Sequence, residues 1–172
     1  MSYIVVDVES DGAIIGVNSM VCFGAVLVDD KLDRTFYGQT KPIGENYEVE
    51  ALSISGFSRE EHETFDNPKD VMLAFAKWIE EESKGKPILI SDNNGYDASW
   101  INYYFHIFYG KNPFGWSSRR IGDLFCGFFN NERYRWKKHR KTKHTHNPVD
   151  DAKGNAEALL YLQEQGFKIK LK

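Results

Sequence analysis

The alternation of apolar and polar positions changes its period several times along the chain. Tyr3 to Val8 alternates and is rich in β-branched residues, the pattern of a strand, and Ser19 to Val28 repeats it. Asp11-Gly12 and Gly16-Val17-Asn18 supply the connection between them. Arg34 to Thr40 predicts a third strand and completes an antiparallel meander. Asn67-Pro68 then offers an N-cap followed by Pro at the first helical position. Val71, Met72, Phe75, Trp78 and Ile79 recur at helical spacing until Gly85. Pro87 to Ser91 is almost wholly apolar, as a strand buried on both faces requires. Tyr96 to Tyr109 predicts a helix with the stripe Trp100, Ile101, Tyr104, Phe105 and Phe108. A short strand near Arg120-Ile121 leads into a helix around Leu124 to Phe129. The last helix runs from about Asp150 to Gln165, with Gly166 as its stop. Phe167 to Lys172 alternates like a final strand, to be paired at a sheet edge or with a second copy in a homodimer.

Three strands followed by strands interleaved with helices predict a single α/β domain over residues 1–172. Its sheet is mixed and five-stranded, an antiparallel meander of three and then parallel strands, flanked by helices. The composition, 41% hydrophobic and 27% charged, excludes a disordered or low-complexity chain. No apolar run reaches the length of about 20 residues that a membrane span needs. The opening MSYIVVDVES lacks the basic and then apolar layout of a secretory signal. Two cysteines, Cys22 and Cys126, cannot build a disulfide framework, and a reducing cytoplasm is the expected compartment.

The net charge of −3 argues by itself against a generic nucleic-acid binder. Its distribution changes that picture. Residues 1–116 carry 9 Lys and Arg against 19 Asp and Glu, a charge of −10, and the remainder carries 13 against 6, a charge of +7. The excess concentrates in 130–149, which has no apolar period and a single acid, Glu132, among seven cations, Arg133, Arg135, Lys137, Lys138, Arg140, Lys141 and Lys143. A segment of this kind is either a solvated loop or a contact for an anionic partner.

Four acids stand at the ends of buried elements. Asp7 and Glu9 are two apart on a strand, share a face, and lie roughly 6.6 Å apart. Asp97 follows the buried strand, opens a helix and shares the face of Trp100, Ile101, Tyr104 and Phe108. Asp151 opens the last helix on the face of Gly154, Asn155, Ala158, Leu159 and Leu162. Taken singly, each has an ordinary structural reading as a polar strand end or a dipole-complementing acid. Together, four inward acids need cations, and an all-oxygen set selects Mg²⁺ or Mn²⁺. Two such ions about 4 Å apart clamp the attacking and leaving oxygens of a phosphodiester. His146, tethered five residues before Asp151, is placed to take a proton from water.

Asp7-Val8-Glu9-Ser10, Asn93-x-x-Tyr96-Asp97 and His146-x4-Asp151 together resemble the DEDDh exonucleases of the ribonuclease H-like superfamily, in a single-domain bacterial or phage-type form. The resemblance spans nearly the whole chain, and Ile54-Ser55-Gly56-Phe57 is similar to the family's segment before the next helix. It implies a ribonuclease H-like fold and a 3′→5′ exonuclease that releases nucleoside 5′-monophosphates by a two-metal mechanism. Asp7, Glu9, Asp97 and Asp151 would hold two Mg²⁺ or Mn²⁺ ions, and His146 would be the general base. The backbone around Val8 and Ser10, together with Asn93, would receive the terminal nucleotide, with Leu52 or Phe57 against its base. Arg133, Lys137 and Lys138 would contact phosphates. The implied partner is single-stranded or short RNA or DNA with a free 3′ end, with RNA favoured. Ser10 stands where Thr is frequent, Asp92 precedes the Asn motif, and the loop after Glu9 is long. A non-catalytic nucleic-acid-binding module on the same fold, or an endonuclease, are the competing readings.

Some patterns carry less. Cys126-x12-His139-x4-His144 imitates half a zinc finger but lacks the second cysteine. Cys22, within an apolar strand, reads as core rather than reactive, His62 and His106 as structural or exposed, and Tyr96 as core. The run Tyr103-Tyr104-Phe105 reads as a core helix rather than a stacking platform, which leaves Trp116 and Trp136 as the better stacking candidates.

Overall fold

A computed structural model describes residues 1–169. Strands β1 (Ser2–Ser10), β2 (Met20–Leu27) and β3 (Thr35–Gln39) form the expected antiparallel meander. β4 (Pro87–Ser91) and β5 (Ser118–Arg120) add in parallel beyond β1, giving the order β3-β2-β1-β4-β5. β1 therefore lies at the centre, and its carboxyl end is where the antiparallel and parallel halves meet. Parallel neighbours require crossovers. These carry α3 (Pro68–Glu82) before β4 and α4 (Asp97–Tyr104) before β5.

The period-two pattern of β1 sorts its side chains into two cores. Ile4, Val6 and Val8 join Phe23, Phe75 and Trp100 under α3 and α4. Tyr3 and Val5 join Ile90, Ala156 and Leu159 under α5 (Ile121–Phe128) and α6 (Pro148–Glu164). Asp7 and Glu9 continue the Tyr3-Val5 row, so they point to the side covered by α6. Gly24, the cross-strand partner of Asp7, lets that helix approach: a Cβ at position 24 would overlap the backbone of Pro148 and Val149. The first turn of α6 is thereby seated directly on the sheet beside Asp7.

Several elements depart from the sequence expectation. Two short helices, α1 (Val49–Ile54) and α2 (Arg59–Glu63), fill the segment between β3 and α3. The helix expected to run through to Tyr109 changes at Tyr104 into a π turn, Phe105–Tyr109, closed by a Gly110 N–H bond to the Phe105 carbonyl at 2.9 Å. The wider turn keeps both Tyr104 and Phe105 fully buried, with Phe105 stacked on Phe75. Inside the basic segment, Trp136–His139 forms a 3₁₀ turn. Trp136 is buried against Phe125, so it is a core anchor and not a stacking surface, whereas Trp116 is 88% exposed. Phe167 to Ile169 form no strand; Phe167 and Ile169 lie on the α5–α6 core, and the rest of the expected final strand lies outside the described residues. Among the described residues no helix is long and apolar enough to cross a membrane.

Candidate active site

Three elements deliver the four acids to the carboxyl end of β1. Asp7 and Glu9 stand on the strand itself, and the β1–β2 register breaks at Glu9/Ser10, a bulge of the kind that re-aims side chains beside a site. Asp97 is the first residue of α4 and is buried. Its Oδ1 accepts the Val8 N–H at 3.3 Å and its Oδ2 the Asn93 N–H at 3.1 Å, which ties the β4–α4 turn to β1. Asp151 comes from α6, which starts at an Asn147 cap followed by Pro148. Asp151 is also buried, and its Oδ2 accepts the His146 N–H at 3.0 Å. His146 itself is in the left-handed region at φ 60°, with its ring half exposed and Nδ1 3.8 Å from Glu9 Oε1.

The electrostatics follow from bringing like charges out of water. Burial, then the neighbouring Asp97, Asp151 and Glu9 carboxylates, hold Asp7 well above the usual carboxylate range, and Arg140 eases it. Burial and then Asp151 push Glu9 up to about 7, against the pull of His144. Burial raises Asp97 to about 7, although the N–H bonds from Asn93 and Val8 work the other way. The set is an anionic cluster of hard oxygen donors that Arg140 and His144 offset only in part, the chemistry that Mg²⁺ or Mn²⁺ fits. The oxygens are turned to other partners, however, and no three His, Cys, Asp or Glu side chains among the described residues close on one point. Asp97 spends both oxygens on backbone N–H groups, and Asp151 Oδ1 takes Arg140 Nη2 at 2.6 Å and His144 Nδ1 at 2.7 Å.

Arg140 and His144 are the two members of this neighbourhood that the sequence reading did not single out. The His144 ring lies edge-on to His146, with centroids 4.3 Å apart. The remaining expected contacts fall at graded distances from the acids. Val8 and Ser10 are buried walls: the Val8 amide is committed to Asp97, and Ser10 Oγ donates to the Gly12 carbonyl at 2.6 Å and meets the Tyr96 hydroxyl. Tyr96 is half-buried against the α3–α4 core. Asn93 is exposed and serves Asp97 through its backbone. Leu52 is buried and, with the half-buried Phe57, lines a surface pocket between α1 and α2. Lys137 Nζ reaches Asp92 Oδ2 at 2.6 Å, which brings the basic segment to the end of β4. Arg133 and Lys138 are exposed, Lys138 over the Tyr134 ring. A cavity of about 490 Å³ between the β2–β3 turn and α6 includes none of Asp7, Glu9, Asp97 and Asp151.

The fold is ribonuclease H-like, with four acids brought to one end of its sheet. No family model matches the chain. A curated relative, the 3′-5′ DNA exonuclease Cap18 of Escherichia coli, is 34% identical over 128 residues, covering 73% of this chain and 68% of that protein. The nuclease domain of 3′hExo, a DEDDh family member solved bound to rAMP, superposes with a TM-score of 0.78 at 17% identity, covering 96% of this chain and 92% of that one. A zinc-bound complex of E. coli Exonuclease I with single-stranded DNA superposes with a TM-score of 0.71 at 18% identity, over 96% of this chain and 41% of that one. The chain belongs to the DEDDh 3′→5′ exonuclease family.

Proposed function

We propose that this protein is a divalent-cation-dependent 3′→5′ exonuclease that removes nucleoside 5′-monophosphates from single-stranded or short nucleic acid. The observation that carries this reading is the meeting of Asp7, Glu9, Asp97 and Asp151, from β1, α4 and α6, with two histidines at the rim. These four acids would hold two Mg²⁺ or Mn²⁺ ions, which when bound supply charge stabilisation at the attacking and leaving oxygens of the phosphodiester. His146 is the general base: its half-exposed ring has no hydrogen-bond partner among the described residues, and its backbone is fixed on Asp151, so the imidazole is held at the site yet free to take a proton from water. Ser10 and Val8 shape the floor under the terminal nucleotide, and Leu52 with Phe57 faces its base. Lys137, Lys138 and Arg133 line the approach and bind phosphates.

The name of the 34% identical relative supports DNA as the first substrate to try, although the sequence reading leaned to RNA. A cytoplasmic setting agrees with the unpaired thiols of Cys22 and Cys126. The test is digestion of matched RNA and DNA oligonucleotides, single- and double-stranded, with Mn²⁺. Stepwise shortening from the 3′ end is expected, blocked by a 3′-phosphate and abolished in Asp7→Asn and Asp151→Asn. No product from any 3′-ended substrate, with tight binding retained, would instead establish the non-catalytic module, and cleavage of a circular strand the endonuclease.

A further inference from the structure

Of the seven cations in the basic segment, Arg140 turns inward. It follows the 3₁₀ turn whose Trp136 is buried in the α5–α6 core, so the local backbone is fixed where Arg140 leaves it. Its side chain is 8% exposed and Nη2 donates to Asp151 Oδ1 at 2.6 Å, while Nε is buried with no hydrogen-bond partner among the described residues. Gly154, three residues after Asp151 on the same helix, makes the room. A Cβ there would overlap Nε and lie 2.8 Å from Nη2. The next two residues are fastened as well: the Lys141 and Thr142 N–H groups each donate to Glu157 Oε2 at 2.7 Å. A buried guanidinium with an unpaired N–H is costly unless it faces excess negative charge. Here it faces Asp151 and Asp7.

We propose that Arg140 is the resident counter-ion of the carboxylate site, competing with divalent cations for Asp151 Oδ1. The competition rests on the metal-binding reading above. The counter-ion role does not. A cation that takes Oδ1 meets the guanidinium and the His144 ring already there, and of the two Arg140 is the permanent charge, so Arg140 raises the amount of divalent cation the protein needs before it is loaded.

The test uses the full chain with Arg140→Gln and Arg140→Lys, without nucleic acid. Mn²⁺ affinity is measured from the paramagnetic signal of the free ion, and thermal melting is followed in chelator. Arg140→Gln is expected to bind Mn²⁺ about tenfold tighter, since a competing charge is gone, and to melt lower in chelator, with the deficit shrinking at saturating Mn²⁺. Arg140→Lys keeps the charge but loses the planar fork, so it should fall between the two. A loss of structure alone would weaken Mn²⁺ binding, so tighter binding is a readout that a merely structural role cannot produce. Unchanged or weaker affinity in Arg140→Gln overturns the competition; if that variant does not fold, Arg140→Lys binding no tighter than wild type does so. Equal melting of wild type and Arg140→Gln in chelator overturns the counter-ion role. Should wild type bind no Mn²⁺, or Asp7→Asn bind it equally well, the metal-site reading fails, and the melting comparison still decides the counter-ion role.

Discussion

His146 holds a left-handed backbone at φ 60°, which costs a residue with a Cβ about 1–2 kcal/mol. The conformation persists because its N–H is fixed on Asp151 Oδ2. Two imidazoles share the rim, and their environments separate their work. His144 Nδ1 lies 2.7 Å from Asp151 Oδ1, whereas the His146 ring has no partner within hydrogen-bond distance among the described residues. His146→Ala is therefore expected to lower kcat by about 10²- to 10⁴-fold with Mn²⁺ affinity little changed. His144→Ala should lower kcat by less than about tenfold, because it removes an orienting contact. If single-turnover rates show the two effects exchanged, the base is His144. At this scale the acids were legible because strand and helix periods dictate which way positions 7, 9, 97 and 151 face. Arg140 and His144 were not, because the segment that carries them has no period. A single 3₁₀ turn anchored by Trp136 decides which of its cations turns inward, and no count of charges contains that choice.

The placement of Asp151 is a property of α6 as an element. The helix begins at Asn147-Pro148, the same cap that announces α3 at Asn67-Pro68. Read at the second place as at the first, the signal starts the last helix at Pro148, two residues before Asp150, and adds the turn that rests on Gly24. Gly24→Ala would drive a methyl into the Pro148–Val149 backbone, which cannot swing aside as a side chain can. We expect a stability loss of about 1–3 kcal/mol and at least a tenfold drop in kcat as Asp151 is lifted from Asp7. Chemical denaturation and steady-state rates measure the two effects. Wild-type values for both would show that the seat of α6 is not what sets the site. α1 and α2 were illegible for another reason. Helices of 6 and 5 residues are too short to display a hydrophobic period. Their support is tertiary: Arg59 Nη1 pairs with the buried Asp11 at 3.1 Å, and the Glu48 N–H donates to the Asp11 carbonyl at 2.7 Å. The Ser58-x-x-Glu61 capping box that starts α2 was the one local signal present.

Across the whole molecule, the acidic and basic parts of the chain fold onto one end of the sheet, with Asp7, Glu9 and Asp97 from the first and Asp151, Arg140 and the histidines from the second. The charge division was legible in the sequence; the cost of the arrangement required the burial that only the fold supplies. That cost has a sign. Glu9 and Asp97 are each held up to about 7, so between roughly pH 4 and pH 7 the folded protein keeps protons that the unfolded chain has released. Both groups therefore contribute stability at low pH that is lost as the pH rises through about 7. His62 acts in the opposite direction. It is buried beside Arg59 and lowered to about 4, so the unfolded chain binds a proton there that the folded one refuses, and stability rises with pH between about 4 and 6.5. The wild-type profile mixes the two, and a single substitution separates them. Glu9→Gln removes one acid and leaves His62 untouched. In chelator, the melting temperature of Glu9→Gln minus that of wild type should be small near pH 4.5, grow through pH 6, and level off above pH 7. At pH 7.5, added Mn²⁺ should raise wild type more than the variant and shrink the gap, because the ion relieves the repulsion that neutralising Glu9 had already reduced. A difference that stays constant across the pH range would mean that Glu9 is not held by this cluster, and a gap unmoved by Mn²⁺ would separate Glu9 from the metal set.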